Sequence, residues 1–143
     1  MSWQQVRPVA LAVVRRDEQA LLAHHYDPEA DYEFYRPLGG AIEFGEHSSE
    51  AVVREFPEEL DVTLTDISYL ETYERVFTFD GNDGHEIWRL YEGTIEESWP
   101  YERDQFTGRE PEFGEEFAVE WKHPEEFTEG GEVVYPPELP ELL

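Results

Sequence analysis

The hydrophobic pattern of the chain changes period only once. Val9-Ala10-Leu11-Ala12-Val13-Val14 is an unbroken apolar run that ends in Arg15-Arg16-Asp17-Glu18. So short a run, bounded by turn residues, predicts a strand buried on both faces. Ala20 to Tyr26 predicts its hairpin partner, Asp27 to Asp31 a loop, and Tyr32 to Leu38 an extended aromatic segment that Gly39-Gly40 break. Between residues 48 and 60 the period becomes helical. Val53, Phe56 and Leu60 recur at i, i+3 and i+7 as one apolar stripe, with Ser48 in the N-cap position. Pro57 lies inside this helix and cannot donate to the Val53 carbonyl, which predicts a kink or a tightened last turn.

Strands are predicted around Ile67–Glu74, Val76–Phe79 and Glu86–Ile95, with the turn-rich cluster Asp80-Gly81-Asn82-Asp83-Gly84 between the last two. Residues 97 to 116 are polar, carry Pro100, Gly108, Pro111 and Gly114, and read as a long loop. Phe117 to Trp121 predicts one more strand; short helices are expected after Pro124 and near 137 to 143. Strands, one strong helix, more strands and a weak helical end predict an α+β fold, a mixed sheet between helices, not a doubly wound parallel sheet. Residues 1 to 143 read as one domain, without repeat or linker.

Charge sharpens this picture. Asp and Glu number 35 against 10 Lys and Arg, a formal charge of -25. Such acidity suggests disorder at first. An aromatic content of 15% supplies a core and argues for a folded domain with an acidic coat. The coat argues against a nucleic-acid backbone or an anionic membrane as partner, since both need a basic face. Nine of the basic residues are Arg and one is Lys, Lys122. An acid-rich, lysine-poor surface predicts a halophilic source, where salt screens the self-repulsion. Cys is absent, so no disulfide, zinc thiolate or thiol nucleophile is available. With no signal-peptide pattern and no apolar run near 18 residues, a cytoplasmic location is expected.

Candidate chemistry gathers on the helix. Glu55, Glu58 and Glu59 are spaced by three and four and are expected on one side, opposite the apolar stripe. Arg54 stands four residues before Glu58 and is placed to pair with it. Clustered carboxylates repel one another, a conflict that a hard cation such as Mg²⁺ or Mn²⁺ removes. Just upstream, Gly39-Gly40-Ala41-Ile42-Glu43-Phe44-Gly45-Glu46 can turn sharply and offer bare backbone to a metal or phosphate. The run from Gly40 through Glu46 to Arg54-Glu55-Phe56-Pro57-Glu58-Glu59 resembles the box of the Nudix hydrolase family, G-x5-E-x7-R-E-U-x-E-E-x-G-U with U apolar. Glu is 27 of 143 residues, yet chance placement of the whole set comes to below about one in a thousand. Asp61 stands where the family has Gly, a position that can require a left-handed backbone.

The resemblance implies the Nudix fold, an α/β/α sandwich, and metal-dependent hydrolysis of a nucleoside diphosphate derivative such as a nucleotide sugar, ADP-ribose or a nucleoside triphosphate. It implies Glu58 and Glu59 as metal ligands, Glu55 as a ligand or water-activating base, and Arg54 as the group that orients them. It also implies that the Gly40 carbonyl completes the shell, that Glu46 supports the loop or a second metal, and that a later loop adds a carboxylate, for which Glu115 and Glu116 are candidates. A homodimer is a further implication. Arg36, one of few cations near the glycine pair, and Gly39 are candidates for holding phosphate. Tyr26, Tyr35 and Trp88 are core residues first and candidates for base stacking second; His24 and His25 are expected on alternate sides of a strand without a metal role. A second reading is a Nudix-fold sensor that binds a nucleotide without cleaving it; the complete Arg54, Glu55, Glu58, Glu59 set opposes it. Isopentenyl diphosphate isomerase, whose resemblance implies a catalytic Cys, is excluded.

Overall fold

A computed structural model describes residues 4–110 and 114–143. The N-terminal Met1 to Trp3 and the predicted loop residue Pro111 lie outside the described residues. Strands β1 (Val6–Arg16) and β2 (Gln19–Asp27) form the first hairpin, followed by β3 (Tyr32–Arg36) and β4 (Leu38–Ala41). Helix α1 (Ser48–Leu60) leads to the long ribbon of β5 (Leu64–Phe79) and β6 (Asn82–Ile95). A 3₁₀ turn at Trp99–Glu102, β7 (Gln105–Arg109), β8 (Glu116–Lys122) and the one-turn helices α2 (Glu125–Thr128) and α3 (Leu139–Leu142) complete it.

β1 organises the molecule. It runs parallel to β6 from Val6 to Val14 and antiparallel to β4 from Val9 to Ala12, then turns at Arg15 and Arg16 into β2. β2 carries β3 along its second half and β8 along its first, and β7 closes that side. Successive side chains of β1 point to opposite faces. Ala10, Ala12 and Val14 pack with Val52, Phe56 and Leu60 of α1. Val9, Leu11 and Val13 pack on the other face with Val134 and Leu139, against Phe127 of α2. The sheet is therefore a mixed layer between α1 and the C-terminal helices, the predicted α/β/α sandwich. The six residues from Val9 to Val14 are at most 2% exposed, which is why their run shows no alternation.

Four local expectations are corrected. Gly39 and Gly40 do not end the extended segment; they are inside β4, opposite Leu11 and Ala10. The segments predicted at Ile67–Glu74 and Val76–Phe79 are one strand, β5, irregular near Ser68 and Glu71. The loop predicted over 97 to 116 contains the 3₁₀ turn, β7 and the start of β8; β7 has a single large apolar residue, Phe106, too little for periodicity to register. The N-cap of α1 is His47, whose backbone N–H donates to the Glu50 carboxylate at 2.9 Å, while the Ser48 hydroxyl pairs with that of Tyr91.

At the other end of α1, Asp61 is left-handed with φ 57° and ψ 41°, as the substitution for glycine requires. Its N–H donates to the Pro57 carbonyl at 3.1 Å, so the last turn keeps α spacing instead of tightening. The tip of the ribbon uses Asp80 and Gly81, both with positive φ, between the paired Phe79 and Asn82. Lys122 is buried at the end of β8, 3.0 Å from both Glu126 and Glu132 and 4.6 Å from the centre of the Tyr35 ring. Among the described residues no helix is long and apolar enough to cross a membrane.

Candidate active site

Two adjacent i, i+4 rows of α1 face the protein. Val52, Phe56 and Leu60 form one; Ala51, Glu55 and Glu59 form the other, and all six are buried. Two sequence expectations change here. Val53, predicted in the apolar stripe, is 38% exposed, and its place is taken by Val52. Glu55 and Glu59 are not on the solvent side opposite the stripe; each is only 8% exposed, at the edge of the core. Glu58 keeps the outward position, with a side chain 41% exposed.

Gly40 makes room for this row. A Cβ at Gly40 would stand 2.6 Å from the Glu55 carboxyl carbon and 2.7 Å from both its oxygens, so only glycine lets that carboxylate lie against β4. Gly39 has φ 149°, and a Cβ there would meet the Ala10 carbonyl oxygen at 2.0 Å. The glycine pair thus lets α1 and its carboxylates close onto the sheet.

Arg54 ties together the outer half of the site. Its Nε and Nη2 grip Glu46 at 2.8 and 3.1 Å, Nη1 reaches Glu58 at 3.0 Å and Glu55 at 3.2 Å, and Nη2 also donates to the Ala41 carbonyl at 3.0 Å. The paired fork holds the Glu46 carboxyl below its usual range, and Glu46 also accepts the Glu43 backbone N–H at 3.0 Å. One side chain so positions the loop, the strand and the helix together.

The inner half is not neutralised in this way. Burial, then the charge of Glu55, pushes the Glu59 carboxyl up to about 9. Burial also raises Glu55, against the opposing pull of Arg54. The charge of Glu110 beside it adds to the upward push on Glu59. Glu110 was not anticipated. It follows β7, and its N–H donates to the Glu115 carbonyl at 2.8 Å. Its neighbours Glu115 and Glu116, the predicted loop carboxylates, line the same cavity; Glu116 is also 3.3 Å from Arg109.

That cavity has a volume of about 420 Å³ and is bounded by Glu59, Glu110, Gly39 and Arg36. Arg36 lines it, with Nε donating to His25 Nε2 at 3.4 Å. Burial, with Arg36 alongside, holds His25 down at about 3, so its imidazole is neutral. Tyr35 and Trp88 are buried, whereas Tyr26 is exposed at the cavity rim and bonded to Asp31.

The donor set fits a hard divalent cation: it is all-oxygen, and burial raises the carboxyls of both Glu55 and Glu59. Among the described residues no three acidic or histidine side chains are gathered around one point as a finished metal site. Arg54 draws Glu46, Glu55 and Glu58 to one side and Glu59 leans to Glu110.

Residues 5–141 match the family model described as NUDIX domain. Over 68 residues the chain is 35% identical to "NAD-capped RNA hydrolase NudC" of Photorhabdus laumondii subsp. laumondii, covering 48% of this chain and 26% of that protein. Over 70 residues it is 33% identical to the protein of the same name from Pectobacterium carotovorum subsp. carotovorum, covering 49% and 26%. The chain thus spans about a quarter of the length of the curated relatives it matches. Among solved structures it is similar to a MutT NUDIX hydrolase from Burkholderia pseudomallei, with TM-score 0.62 and 23% identity over 85% of this chain and 86% of that one. A NUDIX hydrolase from Nitrosomonas europaea gives TM-score 0.64 and 19% identity over 92% and 82%. At these identities the structural likeness establishes the fold.

Proposed function

Since the chain belongs to the NUDIX family, we propose that it hydrolyses the diphosphate linkage of a nucleoside diphosphate derivative with the aid of Mg²⁺ or Mn²⁺. The observation that carries this reading is the pair of buried carboxylates on one row of α1, Glu55 packed beneath Gly40 and Glu59 one turn further on, with Glu110 beside Glu59. Glu58 and Glu59 would hold the metal, with Glu55 as a third ligand or as the base that takes the proton of the attacking water. The Gly40 carbonyl and a loop carboxylate from Glu110, Glu115 or Glu116 would complete the donor set. A bound cation would neutralise charge on the diphosphate and lower the pKa of the attacking water.

The chain's own groups have separate tasks. Arg54 orients Glu55 and Glu58 and is held by Glu46, so Glu46 serves as its support. Arg36 and the backbone of Gly39 line the cavity where a phosphate would rest. The name of the curated relatives brings a capped RNA among the possible substrates; the charge of -25 favours a small nucleotide over a polyanion. The same charge and the single lysine support a halophilic source and a salt-rich cytoplasm. A homodimer rests on resemblance alone.

A product assay across nucleotide sugars, ADP-ribose, nucleoside triphosphates and dinucleoside polyphosphates, in high KCl with Mg²⁺ or Mn²⁺, tests the reading. Metal-dependent release of a nucleoside monophosphate or a phosphorylated partner is expected, and Glu58→Gln abolishes it. Tight nucleotide binding without turnover in wild type would favour a sensor, and equal turnover in the variant would remove Glu58 from the ligand set. Melting temperature should rise with KCl well past physiological strength; a flat response would overturn the halophilic reading.

A further inference from the structure

On the α1 side the sheet is covered unevenly. Ala10, Ala12 and Val14 of β1 lie beneath the helix, and its first residue, Ser48, stands 3.4 Å from Arg89 Nε. Beyond Arg89, toward the ribbon tip, two further rows cross β5, β6 and β1. Register sets Val76, His85 and Val6 side by side in one row and Glu74, Ile87 and Pro8 in the other. Alternation puts both rows on the face of Ala10. β1 buries both of its faces from Val9 to Val14, yet Val6 and Pro8 are bare. Val76 is 72% exposed and Val6 53%. The one carboxylate of the two rows, Glu74, is bonded to His85 at 2.7 Å. A hollow of about 500 Å³ runs beside Val6, Val76, Thr78 and His85. Phe44, fully exposed, stands two residues after Ile42, whose N–H donates to the Pro8 carbonyl at 3.0 Å.

We infer that this bare sheet face is where two copies of the chain meet, packed face to face about a two-fold axis. Resemblance implies a homodimer but assigns it no surface, and the surface does not depend on the hydrolase reading. Adjoining exposed apolar side chains mark a place of association. Charge decides what associates there. A basic partner would be drawn to the acidic coat, not to Val6, Pro8, Val76 and Ile87. Two copies at a charge of -25 repel one another wherever their coats meet. On this face four of the six positions are apolar and the other two are bonded to each other. Like copies can therefore meet here without setting one unpaired carboxylate against another. A two-fold axis presents the same patch from both sides, so a single apolar patch serves both partners. Phe44 would add a large ring at its edge, and salt would screen the coats outside the contact.

Sedimentation equilibrium of the full chain, in high and in low KCl, tests this. A dimer is expected in high KCl, and it should weaken as the salt is lowered and the coats repel. Val76→Glu should raise the dimer dissociation constant more than about tenfold, because both copies bring the new charge to the contact. Val133→Glu, at an exposed apolar position in the segment beside β3, should leave it unchanged. The chain has no Cys, so Val76→Cys supplies a single thiol. Its labelling by a maleimide should slow severalfold as the protein is concentrated, and that of Val133→Cys should not. A wild type that stays monomeric would overturn the homodimer and its surface together. A dimer that survives Val76→Glu would overturn the surface and leave the homodimer. Labelling at Val76 equally slow at every dilution would do the same, since another segment of the chain would then cover the face. None of these measurements involves turnover, so failure of the hydrolase reading would leave the result standing.

Discussion

The outer and inner halves of α1 carry the same residue type in opposite electrostatic states. Glu46 and Glu58 meet the guanidinium of Arg54 at 2.8 and 3.0 Å. Glu59, one turn from Glu55, is buried with Glu110 and holds a proton up to about pH 9. Acidic residues on one helix therefore divide by their neighbours, not by their number: the outer set fixes the scaffold, and the inner set keeps an unmet demand for positive charge. An enzyme that binds a cation gains from the second state, because the repulsion relieved on binding adds to the affinity, at the expense of the stability of the empty protein.

Glu59→Gln should break this contrast most sharply. Loss of the ligand is expected to reduce kcat on the order of 10³-fold, the several kcal/mol that metal-assisted charge stabilisation supplies. The same variant should melt at a higher temperature than wild type in metal-free buffer at pH 8, measured by circular dichroism. A lower melting point would mean that Glu59 is not under electrostatic strain.

Arg54→Lys is expected to cost about 2 kcal/mol in chemical denaturation, less than the loss of a fully buried ion pair, since the side chain is 26% exposed. It should also lower kcat about 10–100-fold, as a single ammonium cannot bridge Glu46, Glu55 and Glu58 together. Retained activity would show that the outer half is scaffold only.

The last effect is the pH dependence of stability. With a folded pKa of about 9 against an ordinary 4.5, Glu59 in the folded metal-free protein keeps a proton that the unfolded chain releases. Between those values the folded state binds more protons, so stability falls as pH rises and levels off above about 9. A scan of melting temperature from pH 5 to 9 should slope downward in wild type and flatten in Glu59→Gln. Saturating Mn²⁺ should lift the alkaline end most.

Much of this was legible in the sequence because two signals coincide there. The apolar run of β1 and the helical period of α1 fix the layers, and the spacing from Gly40 to Glu59 fixes the box on them. The side of the helix was misjudged because Val52 and Val53 both complete an apolar row with Phe56. Only the sheet decides between them, by closing on Ala51, Glu55 and Glu59 through Gly40. Glu110 was hidden among many acids in a segment without periodicity; it acquires meaning from β7, whose five residues contain one large apolar side chain.

Lys122 has one more consequence. The only lysine of the chain is 7% exposed and engaged by two carboxylates and an aromatic face. The described surface therefore offers almost no side-chain amine to a reagent. Acylating cross-linkers, amine-reactive dyes and enzymes that acetylate or conjugate lysine would find little to attack while the fold is intact. Labelling at Lys122 then becomes a clock for the opening of α2 and the end of β8, reporting local unfolding from a single position.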